Sequence, residues 1–273
     1  MCMYINTNVG AINAHRNLVG NNLSMNKTME KLSSGYRINR AADDAAGLAI
    51  SEKMRFQING LNQAQRNAQD GISLIQTAEG ALTEVHSMLQ RINTLANQAT
   101  NGTYQDLDRD KIDLEVQELI NEIDNIATKT TFNGINLLNS TDAVKFQVGS
   151  ENADTISVTL GDMTKGTSGL SLDAVNVKTS TAATAAIVSI KAAISTVSAQ
   201  RATFGSVQNR LEHTINNLGV TAENLSAAQS RIRDADMAAE MTNFTKNQIL
   251  VQAGTSMLAQ ANSVPQNVLK LLG

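Results

Sequence analysis

The chain of 273 residues has a single proline, no tryptophan and only 3% aromatic residues. A compact α/β enzyme usually draws more of its core from aromatic rings and more of its loops from proline. This shortage favours long helices that pack side by side on Ala, Leu, Ile, Met and Val. Because Cys2 is the only cysteine, an intrachain disulfide is excluded and stability must come from packing.

Charge and long apolar runs are also scarce. The net charge of −3 comes with no cluster of Lys or Arg that could follow a phosphate backbone, so we expect no nucleic-acid partner. The first residues lack a basic segment followed by a long apolar run, so we expect no cleavable secretory signal. Residues 247–269 carry no charge, but lipid could not satisfy the amide side chains that interrupt them, and we predict no membrane span. These amides include Gln248, Gln252, Gln260, Asn262, Gln266 and Asn267.

Five helical segments can be identified from apolar residues spaced three and four positions apart. The first covers about residues 5–33, and Gly35 is a natural stop for it. The second begins at Asp43 or Asp44, which are good N-cap residues, and runs to about Ala99. At 1.5 Å per residue it would be roughly 80 Å long, which indicates a coiled coil. Its apolar residues form a near-heptad seam of Ile58, Leu61, Ala68, Ile72, Ile75, Leu82, Val85, Leu89, Ile92 and Leu95. The third ends before residue 133, the fourth runs from about 187 to 232, and the fifth covers about 234–271.

Two short runs between the third and fourth helices alternate apolar and polar residues, which predicts a β-hairpin over residues 143–161. The apolar residues are Val144, Phe146 and Val148 in the first run and Ile156, Val158 and Leu160 in the second. Residues 161–183 are rich in Gly, Ser, Thr and Asp and are interpreted as a loop. The predicted fold class is mainly α: a long antiparallel coiled-coil helical rod with one small β-hairpin, in which the N- and C-terminal helices pair.

The two terminal helices have apolar residues on two flanks, which is more than one partner helix can cover. We predict that other copies of the chain cover the remainder and that these residues drive polymerisation. The alternative is that the ends cap a monomeric bundle. The predicted polymerisation residues are Ile5, Val9, Ile12, Leu18, Val19, Leu250, Met257, Leu258, Val264, Val268 and Leu271.

Several segments at both ends resemble bacterial flagellins. In the first half these are LSSGYRINRAADDAAGLAIS from Leu32, NAQDGISLIQTAEGAL from Asn67 and TFNGI from Thr131. In the second half they are GSVQNRL from Gly205, SRIRDAD from Ser230 and AQANSVPQNVLKLL from Ala259. The start MCMY is unusual for the family, and the variable outer domains that many flagellins carry in mid-chain are missing.

The resemblance implies a subunit of the extracellular flagellar filament that serves swimming motility and is not an enzyme. Residues 1–40 and 234–273 would be the two halves of an inner polymerisation domain, and residues 41–233 a rod-like core domain. The subunit would be exported unfolded through the flagellar secretion channel. Its implied partners are itself, in a helical homopolymer, and the flagellar export chaperone, cap and hook-associated junction proteins.

The resemblance also implies a site for the Toll-like receptor that detects flagellin. The matching positions are Leu89, Gln90, Arg91 and Leu95, with Glu115 on the adjacent helix. An ordinary solvated face with surface ion pairs, which contribute little to stability, is the alternative.

Catalytic, metal and cofactor sites are not predicted. His15, His86 and His213 fall on three different helices without ligand spacing, and no phosphate-binding or nucleophile motif occurs. Two alternatives to a filament subunit stay open: a hook–filament junction protein, which shares the terminal helices, and a chemoreceptor-like signalling rod. A chemoreceptor-like rod would need its most distinctive sequence at the hairpin tip in mid-chain, but this chain has a Ser/Thr-rich loop there.

Overall fold

The computed structural model of the protein describes residues 7–272, and it describes their side chains from residue 7 to residue 263. Within this range the fold is mainly α, with five helices and two small antiparallel strand pairs, which confirms the predicted class. The elements are α1 (Val9–Ser34), α2 (Ala45–Thr100), α3 (Asp106–Lys129), β1 (Thr131–Phe132), β2 (Ile135–Asn136), β3 (Ala143–Gln147), β4 (Thr155–Thr159), α4 (Ser180–Arg233) and α5 (Met237–Leu272).

The helix ends follow local capping chemistry. Asn8 caps α1 by accepting a hydrogen bond from the Ala11 N–H at 3.1 Å, so α1 begins at Val9, whereas the predicted start at about residue 5 lies outside the described residues. Gly35 adopts φ 74° and ends α1, as the sequence predicts. Asp44 Oδ1 accepts from the Gly47 N–H at 2.8 Å, which identifies Asp44 as the cap of α2.

The chain divides into two compact units. The terminal unit comprises Met1–Ile58 and Glu223–Gly273, and the central unit comprises Asn59–Ala222. The boundaries of these units lie inside α2 and α4, whereas the predicted domains change at about residues 41 and 233, near helix ends. The functional roles assigned to those predicted domains remain predictions.

The central unit is built around one apolar core shared by α2, α3, α4 and the β3–β4 hairpin. Arg201 on α4 lies 3.6 Å from Glu79 on α2, and the Ser180 hydroxyl donates to the Thr100 carbonyl, so these two helices run antiparallel here. The predicted seam along α2 supplies much of the core. Its fully buried members include Ala68, Ile75, Leu82, Val85, Leu89 and Ile92.

The predicted hairpin is confirmed, with Val144 opposite Val158 and Phe146 opposite Ile156. Its apolar side lies on α2, where Gly71 makes room for the aromatic ring. A Cβ at Gly71 would come within 3.2 Å of Phe146.

A second, minimal pairing of β1 with β2 was not predicted, although Asn133-Gly134 is a common hairpin turn. Asn133 (φ 50°) and Gly134 (φ 80°) both have positive φ, as a type I′ turn requires.

The segment between β4 and α4 is irregular, as predicted, although α4 begins at Ser180, inside the loop predicted over residues 161–183. The irregular segment contributes to the core. Beyond Leu160, five of its apolar side chains are buried, and α3 holds the segment in place. The Val177 N–H donates to Asp113 Oδ1 at 2.9 Å, and Gln117 Nε2 donates to the Val175 carbonyl at 2.8 Å. The buried side chains are Met163, Leu170, Leu172, Val175 and Val177.

The helix α4 has the length and composition that a membrane span would need. An 18-residue window in it has a mean hydropathy of 1.5, and 28% of that window is buried. This is weak evidence, because a helix that packs on a protein core passes the same test.

Candidate functional site

The terminal helices α1 and α5 pair with each other in the terminal unit and run antiparallel. Near the start of α1, Asn8 Nδ2 donates to the Ala261 carbonyl at 2.7 Å. Near its end, Lys31 Nζ lies 3.1 Å from Glu240 Oε1. Between these contacts Leu18 packs on Gly254, where a Cβ would approach the leucine side chain to 3.3 Å. The predicted pairing of the chain ends is therefore confirmed for the described residues.

This pairing leaves much of the apolar surface of both helices uncovered. On α1, the side of the helix away from α5 carries four exposed apolar side chains. Ten large apolar residues of α1 and α5 have exposures between 39%, for Leu250, and 65%, for Leu23 and Met257. We call this set the uncovered apolar surface. It consists of Val9, Ile12, Val19, Leu23, Met29, Met237, Met241, Ile249, Leu250 and Met257.

The predicted polymerisation residues fall into three groups in the structure. Val9, Ile12, Val19, Leu250 and Met257 belong to the uncovered apolar surface. Leu18 and Leu258 are half-buried. The remaining four, Ile5, Val264, Val268 and Leu271, lie outside the residues whose side chains the structure describes.

The segment that follows α1 and the segment that precedes α5 are hydrogen-bonded to each other. The Arg37 N–H donates to the Arg233 carbonyl at 2.7 Å, and the Ala235 N–H donates to the Gly35 carbonyl at 3.0 Å. The Arg233 guanidinium lies 4.7 Å from the centre of the Tyr36 ring and 2.6 Å from Glu52. Sequence periodicity could not predict this junction, because it lies where both helical patterns stop.

Asp43 holds the loop between α1 and α2. Its carboxylate lies 3.0 Å from Lys27 Nζ and accepts hydrogen bonds from the N–H groups of Arg40 at 3.1 Å and Asn39 at 3.3 Å. The bond from Lys27, followed by the backbone bond from Arg40, lowers the pKa of Asp43 below its ordinary value of 3.8.

This lowered pKa predicts that the loop is less stable in acid. A carboxyl group with a lower pKa in the folded state stabilises that state above its unfolded pKa, and the contribution is lost as pH falls through the folded pKa. We expect Asp43→Asn to lower the thermal midpoint at pH 7, and the difference from the unmodified chain to shrink as pH falls below 3.8. Thermal unfolding followed by circular dichroism over a pH series measures this. A difference that stays constant into strong acid would contradict it.

The residues matched to the receptor motif occupy two different environments on α2 and α3. Arg91 Nη2 lies 2.7 Å from Glu115 Oε1, and both side chains are about half exposed, as is typical of a surface ion pair. Gln90 is exposed and contacts His86. Leu89 and Leu95, in contrast, are 0% and 3% exposed and belong to the central core.

The prediction that Leu89 and Leu95 contact a receptor therefore needs correction. Both residues fall on the α2 seam that packs against the rest of the central unit, so their side chains cannot reach a partner docked on the folded chain. There they pack α2, which also carries Gln90 and Arg91, on the central core. The exposed members of the predicted set are Gln90, Arg91 and Glu115.

The described side chains include no group of three or more His, Cys, Asp or Glu residues that could hold a metal ion. His15, His86 and His213 lie on α1, α2 and α4.

Comparison with known proteins gives matches at both ends of the chain. The model of the bacterial flagellin N-terminal helical region matches residues 5–143, and that of the bacterial flagellin C-terminal helical region matches residues 187–272. Flagellin from Bacillus subtilis is 51% identical and flagellin from Halalkalibacterium halodurans is 54% identical, each over 99% of this chain and 100% of the relative. The 33 kDa core protein of the flagellar filament of Treponema phagedenis is 49% identical over the same shares.

A solved structure agrees with this result. The crystal structure of Bacillus cereus flagellin is 38% identical, with a TM-score of 0.51, over 60% of this chain and 94% of that chain. The relatives match over their whole length, so the absence of a large mid-chain insertion is shared with them. The chain belongs to the bacterial flagellin family.

Proposed function

We propose that the chain is the structural subunit of a flagellar filament and that it polymerises through α1 and α5. The uncovered apolar surface carries this proposal, and family membership supports it. Full burial of a Leu, Ile or Met side chain stabilises by about 1.5–3 kcal/mol, and a half-exposed side chain has about half of this still to gain. Neighbouring copies are the natural cover, because a homopolymer presents the same surface to every subunit.

The finer assignments follow from the same proposal. Residues 1–40 and 234–273 form the inner polymerisation domain, and residues 41–233 form the outer core domain. The subunit leaves the cell unfolded through the flagellar secretion channel and joins an extracellular filament that serves swimming. Before export a chaperone masks the apolar ends, and in the filament the subunit meets cap and hook-associated junction proteins. The chain has a mechanical role and catalyses no reaction.

Seeded growth tests the proposal. Purified chain added to sheared filament fragments of the same protein should extend them, as observed by negative-stain electron microscopy and by the sedimentable fraction. The seeds alone, and the chain alone at the same concentration, are the controls. Seeds that fail to lengthen at any subunit concentration would reject the filament role.

We also propose that the exposed face formed by Gln90, Arg91 and Glu115 is bound by the Toll-like receptor that detects flagellin. The ion pair fixes Arg91 across α2 and α3, since both its Nε and its Nη2 donate to Glu115 Oε1, at 2.9 and 2.7 Å. An arginine held in this way loses little conformational freedom on binding, which suits a binding hot spot. Leu89 and Leu95 support the face from below.

We expect Arg91→Ala to lower receptor activation at limiting dose by at least about tenfold, because truncating a hot-spot arginine typically costs 2 kcal/mol or more. Reporter cells that express the receptor measure the dose response. Arg66→Ala is the matched control, because Arg66 is also an exposed arginine of α2 but bonds only to Gln63 in the same helix. Equal activation by the two variants would reject the proposed role of Arg91.

A further inference from the structure

The most exposed methionines of the described chain all lie on the terminal helix pair. Met29, Met237, Met241 and Met257 have exposures of 43%, 46%, 51% and 65%. The other methionines of the described residues are less exposed. Met163 is 2% exposed, and Met88 packs against the central core.

These four methionines are part of the uncovered apolar surface, and the three that lie on α5 occupy both of its flanks. Met237 and Met241 are four residues apart and share one face. Met257 is sixteen residues beyond Met241, which places it about 160° around the helix. The side between the two flanks faces α1, since Glu240, Asn247 and Gly254 make the contacts with that helix.

Methionine is the one apolar side chain of this surface that a mild oxidant can make polar. Hydrogen peroxide transfers one oxygen atom to the thioether sulfur, its O–O bond breaks, and water leaves. The sulfur is oxidised to a sulfoxide and the peroxide is reduced. The product has a strong hydrogen-bond acceptor, and methionine sulfoxide reductases reverse the change.

We propose that Met29, Met237, Met241 and Met257 are an oxidation-sensitive site that controls assembly. This inference rests on the proposed function, because it requires α1 and α5 to be the polymerising surface. A sulfoxide on either flank of α5 must be buried without a donor when a neighbouring copy docks, which opposes docking. The free subunit is therefore sensitive to peroxide, and the assembled subunit is protected because the same sulfur atoms are covered.

The first test uses the full chain treated with graded hydrogen peroxide, with sulfoxides located by peptide mass spectrometry. We expect Met29, Met237, Met241 and Met257 to oxidise well before Met163. At full oxidation of the four, the critical concentration for seeded growth should rise at least about tenfold. Treatment with methionine sulfoxide reductases should restore it.

A variant that combines Met29→Leu, Met237→Leu, Met241→Leu and Met257→Leu separates this effect from other oxidative damage. Leucine has a similar volume and apolar character, and at these exposed positions the chain should fold unchanged. The critical concentration of the variant, measured before and after the same peroxide dose, should not change. If the peroxide-treated variant loses assembly as completely as the peroxide-treated unmodified chain, the inference is overturned.

Wild-type filaments give a measurement that does not depend on any variant. In assembled filaments the four methionines should oxidise at least about tenfold more slowly than in the free subunit. Equal rates in the two states would overturn the inference, as would unchanged seeded growth of subunits that carry all four sulfoxides. Failure of the untreated chain to extend seeds would instead reject the filament function itself.

Discussion

Replacing Ile12 or Leu23 with glutamate is expected to stop filament growth without unfolding the chain. The two side chains are 60% and 65% exposed, so the folded subunit loses little when they change. In the filament each glutamate would bring a charge into an apolar contact between copies. An unpaired buried charge costs several kcal/mol even after relaxation. A penalty of about 4 kcal/mol raises the critical concentration about 10³-fold.

The measurement is seeded growth over a range of subunit concentrations, with circular dichroism as the check on folding. Leu23→Met is the matched control, because it changes the shape of the side chain at the same position but keeps it apolar. We expect that variant to grow close to normally. Filament growth by Leu23→Glu at an unchanged critical concentration would show that this face of α1 stays in contact with water in the polymer.

The helices could be predicted from the sequence because their cause is local. Apolar residues three or four positions apart mark the buried face of α2 through Leu82, Leu89 and Ile92, and these residues are fully buried. The end of α1 could be predicted for the same reason, since glycine tolerates the left-handed backbone at Gly35 better than other residues do.

The burial of individual positions was harder to predict, and the receptor motif shows why. A short string matched to a known family identifies which residues correspond, but not which face of a helix each one occupies. On α2, Arg91 is exposed two positions after the fully buried Leu89. The near-heptad seam of α2 includes Leu89 and Leu95, and this pattern predicts that both leucines lie in the core.

The pairing of α1 with α5 could be predicted from their apolar flanks, but the individual contacts between distant segments could not. Val175 and Val177 lie in a segment without periodicity, and they are buried because Gln117 and Asp113 of α3 bind their backbone. The pairing of Arg37 with Arg233 likewise joins residues almost two hundred positions apart. Such contacts depend on how the helices are arranged in space, and a pattern within one helix contains no information on that arrangement.

Deletion of residues 234–273 is expected to abolish assembly and to leave the central unit folded. The deletion removes α5 entirely, and with it the partner that α1 contacts through Asn8, Leu18 and Lys31. The 26 residues of α1 should then lose most of their helical structure, because a helix in proteins is stabilised mainly by the packing of its apolar face. The central core is made of residues between Ala68 and Leu211, so none of its members is lost.

Two measurements on the truncated chain are therefore expected to diverge. Urea unfolding should keep a cooperative transition from the central unit, while seeded growth should be absent even far above the critical concentration of the full chain. The full chain prepared in parallel is the control for both. Filaments formed by the truncated chain would contradict assembly through α1 and α5. A truncated chain without a cooperative transition would contradict the independence of the central core, and only the combination of retained core and lost growth assigns polymerisation to the paired ends.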